Sequence, residues 1–292
     1  MDRRVAGLLL VTAALWGVPY LLIKIAVGEL SPFMIVFGRL AIGAAIVAAV
    51  AARRGVLGQL RGRLSSVALL ALVQLAGPFV LLTYGERHVS SSLAGVLVAT
   101  TPIFTGFLAF VVPEADRPTG VRALGLGLGI VGVALVLGIE VRGDILGGVL
   151  CLGTSVGYAI GAHMLKRRFG GVEPIAVLAG TLTAAALVLL VPAAVALPSH
   201  APGVGAVGAV VALGVFPTAL AFVLAYQLIA EIGPSRLSVV AYVAPCFAVV
   251  FGAVFRSEAV GAATIAGLLI VLAGSWLAAR KPLPRPEPVP VD

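Results

Sequence analysis

The sequence predicts an all-α integral membrane protein of ten transmembrane helices, written as two five-helix repeats of opposite orientation with both termini cytoplasmic. Three observations predict it. Of 292 residues, 61% are hydrophobic and only 11% charged, against about 25% charged in soluble domains, and the mean hydropathy is +1.15. The apolar residues gather into ten runs, each long enough to cross a ~30 Å hydrocarbon core at ~1.5 Å rise per residue. The chain also echoes itself at a shift of 142 residues, which carries Trp16 onto Tyr158, Lys24 onto Lys166, Pro32 onto Pro174 and Tyr84 onto Tyr226. The same shift carries Gly125 onto Gly267 and Gly132 onto Gly274. Glycine matches come cheaply in a chain this rich in Ala, Leu, Val and Gly; ungapped Pro, Tyr and Lys matches do not.

The runs fall at 5–27, 33–52, 65–84, 91–112, 121–138, 144–164, 174–197, 204–229, 235–255 and 259–279. The start, Met1-Asp2-Arg3-Arg4, is basic, but the run behind it is too long for a signal-peptide core, so it reads as a retained first helix. Within it, Pro19 removes a backbone donor two residues after Gly17, which predicts a local kink. Glu29 through Pro32 separate helices 1 and 2, and Arg53 through Arg63 separate helices 2 and 3. Glu86-Arg87-His88 precede helix 4, Pro113 through Pro118 follow it, and Glu140-Val141-Arg142 follow helix 5. Lys166-Arg167-Arg168, Pro198 through Pro202, Glu231 through Pro234 and Arg256-Ser257-Glu258 mark the remaining breaks. The first repeat is thus 1–138 and the second 139–280. Residues 281–292 alternate proline with other residues and read as a disordered cytoplasmic tail.

Orientation follows from Lys and Arg in alternate loops. With the N-terminus inside, the cytoplasmic segments hold fifteen, among them Arg3, Arg4, Arg53, Arg54, Arg61, Arg63 and Lys166 to Arg168. The outer segments hold three, Arg87, Arg142 and Arg256; Lys24 and Arg39 inside spans complete the 20. The formal charge of +8 is therefore a matter of basic cytoplasmic loops rather than of nucleic acid. Cys151 and Cys246 both lie in apolar runs, which argues against a disulfide framework or a metal site.

Candidate binding groups are the polar residues inside the spans. Trp16 and Tyr20 are i,i+4 neighbours and share one helix face, with Lys24 one turn further on. Snorkelling to the interface and contact with the outer mouth of a cavity both account for Lys24. Arg39 lies roughly 9 Å inside helix 2 by rise per residue, where a cation is costly without a partner; it either bonds carbonyls freed at a kink or attracts an anionic group. Tyr158 and Tyr242 lie deep, where a tyrosine hydroxyl needs a partner, whereas Tyr84 and Tyr226 lie near helix ends and suit an aromatic belt equally well. Gln74, Thr100, Thr101, Thr105, Thr154, Ser155 and Gln227 add hydrogen-bonding groups. Thr100-Thr101-Pro102 is the strongest of these, because Pro102 frees a carbonyl beside two hydroxyls. Pro19, Pro78, Pro102, Pro217 and Pro245 are the candidate flexing points. Trp276 reads as an interface anchor, His163 as an interfacial histidine, and Glu114 and Glu258 as helix-end contacts. No intramembrane carboxylate stands out for proton coupling.

Taken in order, Leu15-Trp16-Gly17, Pro32 with Arg39, Ala94 through Pro102, Glu114 and Gly125/Gly132 resemble the EamA-type members of the drug/metabolite transporter superfamily. Pro174, Ala244-Pro245, Glu258, Gly267 and Gly274 carry the resemblance through the second repeat. It implies a polytopic carrier of small metabolites, often an exporter, with a central cavity formed by helices 1–4 and 6–9 and with helices 5 and 10 as support. Tyr158-Ala159 in place of a second Trp-Gly departs from the first repeat and predicts a chemically asymmetric cavity.

An odd number of helices per repeat inverts the second copy, the plan of alternating-access carriers with a site near the midplane. The expectation is a secondary transporter of the bacterial inner membrane, moving an amino acid or related compound with no cofactor, and with a proton or other ion as a coupling partner. A nucleotide-sugar or other organic-anion carrier, and a non-transporting sensor, are the rivals. No zinc-protease helix, aspartate pair or nucleophile–base set suggests an enzyme, and no phosphate-binding loop suggests ATP-driven transport.

Overall fold

The computed structural model describes residues 2–112, 118–140, 145–233 and 237–280. Glu114, part of the orientation count (Arg117, Arg142, Arg236, Lys281, Arg285) and the proposed tail at 281–292 lie outside the described residues. The helices are α1 Arg3–Ala26, α2 Pro32–Arg53, α3 Leu64–Gly85, α4 Ser91–Val111 and α5 Val121–Glu140. The second half contributes α6 Ile145–Arg168, α7 Pro174–Val195, α8 Val204–Ile229, α9 Val239–Arg256 and α10 Ala262–Ala278. Among the described residues nine of these are long and apolar enough to cross a membrane; α10, with 17 residues, is shorter.

Local chemistry sets the ends. The Asp2 carboxylate accepts from Arg4 N to start α1, and Ser31 Oγ accepts from Met34 N to start α2, with Pro32 where its missing N–H costs nothing. Ser90 Oγ accepts from Leu93 N at 3.1 Å and starts α4. Ser257, at φ 52°, takes the left-handed conformation that ends α9.

Three interior irregularities sit near prolines. The helix α3 widens to π-type winding over Ala71–Ala76, just before Pro78, and α8 does so over Gly214–Leu220, around Pro217. The helix α4 divides into Ser91–Val98 and Thr101–Val111, with Pro102 in the first turn of the second piece. By contrast α1 continues through Pro19 and α9 through Pro245.

The main helix pairs are α1 with α8 and α9, α6 with α3 and α4, α2 with α7 and α8, α3 with α7, α4 with α9, and α5 with α10. Adding or subtracting five from each helix number maps this set onto itself. Several contacts are close enough to require glycine, and two of them mark helix seams. A Cβ at Gly274 would lie 2.6 Å from Gly129 N and 2.8 Å from Gly125 O, so α10 and α5 meet backbone to backbone. A Cβ at Gly17 would lie 2.5 Å from Phe247 Cβ and 2.7 Å from Ala244 O, so the centre of α1 lies directly on α9. Large apolar side chains such as Leu187, Val191, Leu269 and Val254 remain exposed on the periphery, a surface suited to lipid.

Candidate functional site

A cavity of about 320 Å³ lies at the centre of the bundle. Its wall is drawn from α1 (Trp16, Pro19, Tyr20), α2 (Arg39), α3 (Gln74, Leu75, Phe79, Leu82) and α4 (Val98, Ala99, Thr101, Pro102). Across from these stand Tyr158 of α6, Pro217 and Phe222 of α8, and Ala241, Ala244 and Pro245 of α9. Helices α5, α7 and α10 contribute no lining residue. The volume is at the lower end of the ~300–1,000 Å³ of small-molecule sites.

Arg39 is the only cation of that wall. Its Nε donates to Thr218 Oγ1 at 2.8 Å, and its guanidinium lies 3.9 Å from the centroid of the Phe79 ring. Thr218 Oγ1 in turn donates to Leu213 O at 2.7 Å, five residues back, a reach that the π-type winding of α8 supplies. Arg39 is thus held by a hydroxyl and an aromatic face, and among the described residues no carboxylate pairs with it. The expected bond to a kink carbonyl is not what holds it.

The rest of the wall is aromatic and weakly polar. Trp16 meets Phe222 edge to face with centroids 5.6 Å apart, and Phe79 meets Tyr158 at 6.3 Å and 90°. Opposite the rings, the break in α4 releases carbonyls that side chains then satisfy. Thr100 Oγ1 donates to Leu97 O at 2.6 Å, Thr101 Oγ1 to Val98 O at 2.8 Å, and Ser275 Oγ of α10 to Ala99 O at 2.9 Å. Ser155 Oγ of α6 also reaches Leu97 O, at 3.1 Å. Leu97 O also accepts from Thr100 N at 3.2 Å, and Pro102, lacking an N–H, leaves Val98 O to the Thr101 hydroxyl. Thr154 Oγ1 donates to Pro78 O at 3.1 Å and ties α6 to α3.

Of the residues singled out from sequence, Trp16, Tyr20, Arg39, Gln74, Thr101 and Tyr158 meet in this one cavity, with Pro19, Pro102, Pro217 and Pro245 in its wall. Thr100 is fully buried beside it, and Pro78 is buried on α3. Tyr242 and Lys24 lie outside the lining. Lys24 does not snorkel: its Nζ donates to Glu86 O at 2.6 Å and Val89 O at 2.8 Å, tying α1 to the α3–α4 connection.

That connection is the end of the bundle distal to the N-terminus, and further polar contacts close it. The Glu258 carboxylate, between α9 and α10, accepts from both the N–H and the hydroxyl of Ser91 and of Ser92, at 2.7–3.0 Å. Burial pushes this carboxyl up, but the donors of Ser92 and Ser91 outweigh it and hold it below the usual carboxylate range. Glu29 accepts from Gly203 N, and Ser31 Oγ donates to Ala196 O.

Sequence reasoning missed Glu86. It caps α3 one residue beyond Gly85, is 0% exposed, and neither carboxylate oxygen has a hydrogen-bond partner. Inside Glu86-Arg87-His88 it reads as part of a solvated loop. The signal that distinguishes it is the small company on either side, Gly85 and Ser90-Ser91-Ser92, which lets the chain turn back into the bundle.

Comparison with known proteins gives a consistent answer. The profile described as "EamA-like transporter family" matches residues 4–138 and again 145–280. The chain is 30% identical to the inner membrane transporter YedA of Escherichia coli K12, over 96% of this chain and 94% of that one. It is 28% identical to a transporter of Archaeoglobus fulgidus (94% and 98% covered), and 29% identical to a probable terminal-alkyne amino-acid exporter of Streptantibioticus cattleyicolor (95% and 94%). A solved structure titled only "Crystal structure of protein" superposes with a TM-score of 0.66 at 24% identity, covering 95% of this chain and 98% of that one; this likeness concerns the fold alone. The chain belongs to the EamA-like transporter family.

Proposed function

We propose that this membrane transporter carries a small metabolite with a carboxylate and an apolar or aromatic body, an amino acid or close relative, out of the cell by alternating access. The observation that carries the reading is Arg39: a buried cation with no carboxylate partner, facing a cavity whose other walls are rings and weak dipoles. A planar guanidinium with free donors suits a carboxylate, and Trp16, Tyr20, Tyr158 and Phe222 offer an apolar bed for the rest of the molecule. The name of the Streptantibioticus relative, an amino-acid exporter, supports the same class. One cation and about 320 Å³ favour this over a nucleotide sugar, whose diphosphate calls for more positive charge.

The proposed architecture is ten transmembrane helices in two inverted repeats, 1–138 and 139–280, with both termini cytoplasmic in the bacterial inner membrane. Support comes from the repeated profile match, from the helix pairs that map onto themselves under a shift of five, and from the charge asymmetry of the loops. On that orientation the distal end is the outer face, sealed by Lys24, Glu29 and Glu258. The lining reaches Ala241, exposed two residues into α9 at the opposite end. The conformation then corresponds to the inward-facing state, with the π-wound stretches of α3 and α8 and the break in α4 as flexing points.

The test is uptake into liposomes holding the purified chain, using pooled labelled amino and organic acids, with and without an imposed pH gradient. Saturable flux of a carboxylate-bearing compound, lost in Arg39→Ala, is the expected result. Wild-type flux in Arg39→Ala removes Arg39 from recognition, and no flux of any acid in the pool removes the substrate class.

A further inference from the structure

Glu86 is the group the cavity does not use and the fold does not explain. Its backbone is fully employed: Glu86 N donates to Leu82 O at 2.9 Å, and Glu86 O accepts from Lys24 Nζ. Its carboxyl is not, since both oxygens are buried without a hydrogen-bond partner. The Lys24 ammonium would be the natural counter-ion, yet it is committed to the two carbonyls of Glu86 and Val89.

The charged and titratable groups facing the carboxyl are Lys24 and Tyr20 of α1, Arg39 of α2, Cys151 of α6 and Glu258 from the α9–α10 connection. None of them bonds to it. Arg39 is held by Thr218 and Phe79 and lines the cavity, and Glu258 is occupied by Ser91 and Ser92. A carboxylate left ionised and unpaired in such a place carries a large desolvation cost, and the group takes up a proton instead. Burial accordingly pushes Glu86 well above the usual carboxylate range, Lys24 opposing it only in part. Among the described residues no group of three or more His, Cys, Asp and Glu is arranged to hold a metal ion; a single buried carboxyl without partners suits a proton.

We propose that the Glu86 carboxyl is a proton-binding site of the transport cycle, protonated while the distal end is sealed and ionised when that end opens to water. The proposal rests on the alternating-access reading above and names its coupling ion. Ionisation occurs as the Lys24 contacts part: the proton passes to water at the opened face, and the freed ammonium becomes the partner of the carboxylate. Alkalinity at the distal face favours the open state; acidity there returns the protonated carboxyl to its buried place.

The chain contains its own reporter. Cys151 is fully buried against this seal, and a Cβ at the neighbouring Gly85 would lie 2.7 Å from its Sγ. In a Cys246→Ser background, the rate at which an impermeant maleimide reaches Cys151 from the distal side of proteoliposomes measures opening. Comparison with Glu86→Gln, a mimic of the protonated group, cancels the ionisation of the thiol itself. The ratio of the wild-type to the Glu86→Gln rate should rise with pH, approaching tenfold per pH unit where one proton is linked to opening. Glu86→Asp should keep the pH dependence with a moved midpoint, which guards against a Gln variant that folds poorly. A ratio flat from pH 5 to 9 overturns the proposal. The readout needs no substrate, so that outcome leaves the transport reading standing. Conversely, a rising ratio in a protein that moves no acid would sink the transport reading alone.

Discussion

Arg39 and Glu86 are both buried ionisable groups, and the fold treats them in opposite ways. Arg39 has a hydroxyl, an aromatic face and an open cavity before it; Glu86 has no hydrogen-bond partner and no exposure. A cation fixed by neutral groups stays charged and can meet an anion, because its partners do not neutralise it. A carboxyl denied partners surrenders its charge and can regain it when the surroundings change. The first arrangement suits recognition and the second suits switching.

The comparison breaks most readily at Arg39. Replacing it by Met keeps length and apolar packing but removes the charge. If it receives a substrate carboxylate, transport efficiency should fall about 10- to 150-fold, the equivalent of ~1.5–3 kcal/mol for hydrogen bonds to a charged group. Unchanged flux in Arg39→Met would make the residue architectural.

Thr218→Val comes next. It leaves the Arg39 Nε–H without its acceptor at similar side-chain volume, at a cost of about 1–3 kcal/mol, and should lower the unfolding temperature in detergent by several degrees. Phe79→Leu removes the ring under the guanidinium, worth ~0.5–2 kcal/mol, from a buried position, and should raise KM a few-fold with a moderate loss of stability.

The smallest effect sharpens the contrast from the carboxylate side. Glu258, unlike Glu86, has four donors and a depressed pKa. A group depressed in the folded state contributes stability above its unfolded pKa and loses it as pH falls through its folded one. Acid unfolding of the wild type should therefore show a limb below roughly pH 4 that Glu258→Gln flattens. An identical acid limb in the variant would mean the seal at Ser91 and Ser92 does not depend on the charge.

These residues also mark where sequence is legible. Arg39, Trp16, Tyr20 and Tyr158 stand out because polar and amphipathic groups inside apolar runs must face something other than lipid. Pro102 announces the break in α4, since a missing N–H frees a carbonyl wherever it lies. The π-type winding of α3 and α8 carries no comparable mark: Pro78 and Pro217 hint at it, but Pro19 and Pro245 look the same in sequence and leave their helices continuous. Lys24 and Glu86 were misjudged for a related reason. Both sit at a helix end, where sequence favours water, and only the folding of the α3–α4 connection onto α1 takes them out of it.

The central claim is that Arg39 recognises a carboxylate in the cavity. The most direct measurement is counterflow of a transported acid in proteoliposomes, challenged in turn by the acid itself and by its uncharged amide. Wild type should be inhibited by the acid far better than by the amide, and Arg39→Met should lose that preference. Equal inhibition of the wild type by acid and amide, or a preference that survives in Arg39→Met, would contradict the account.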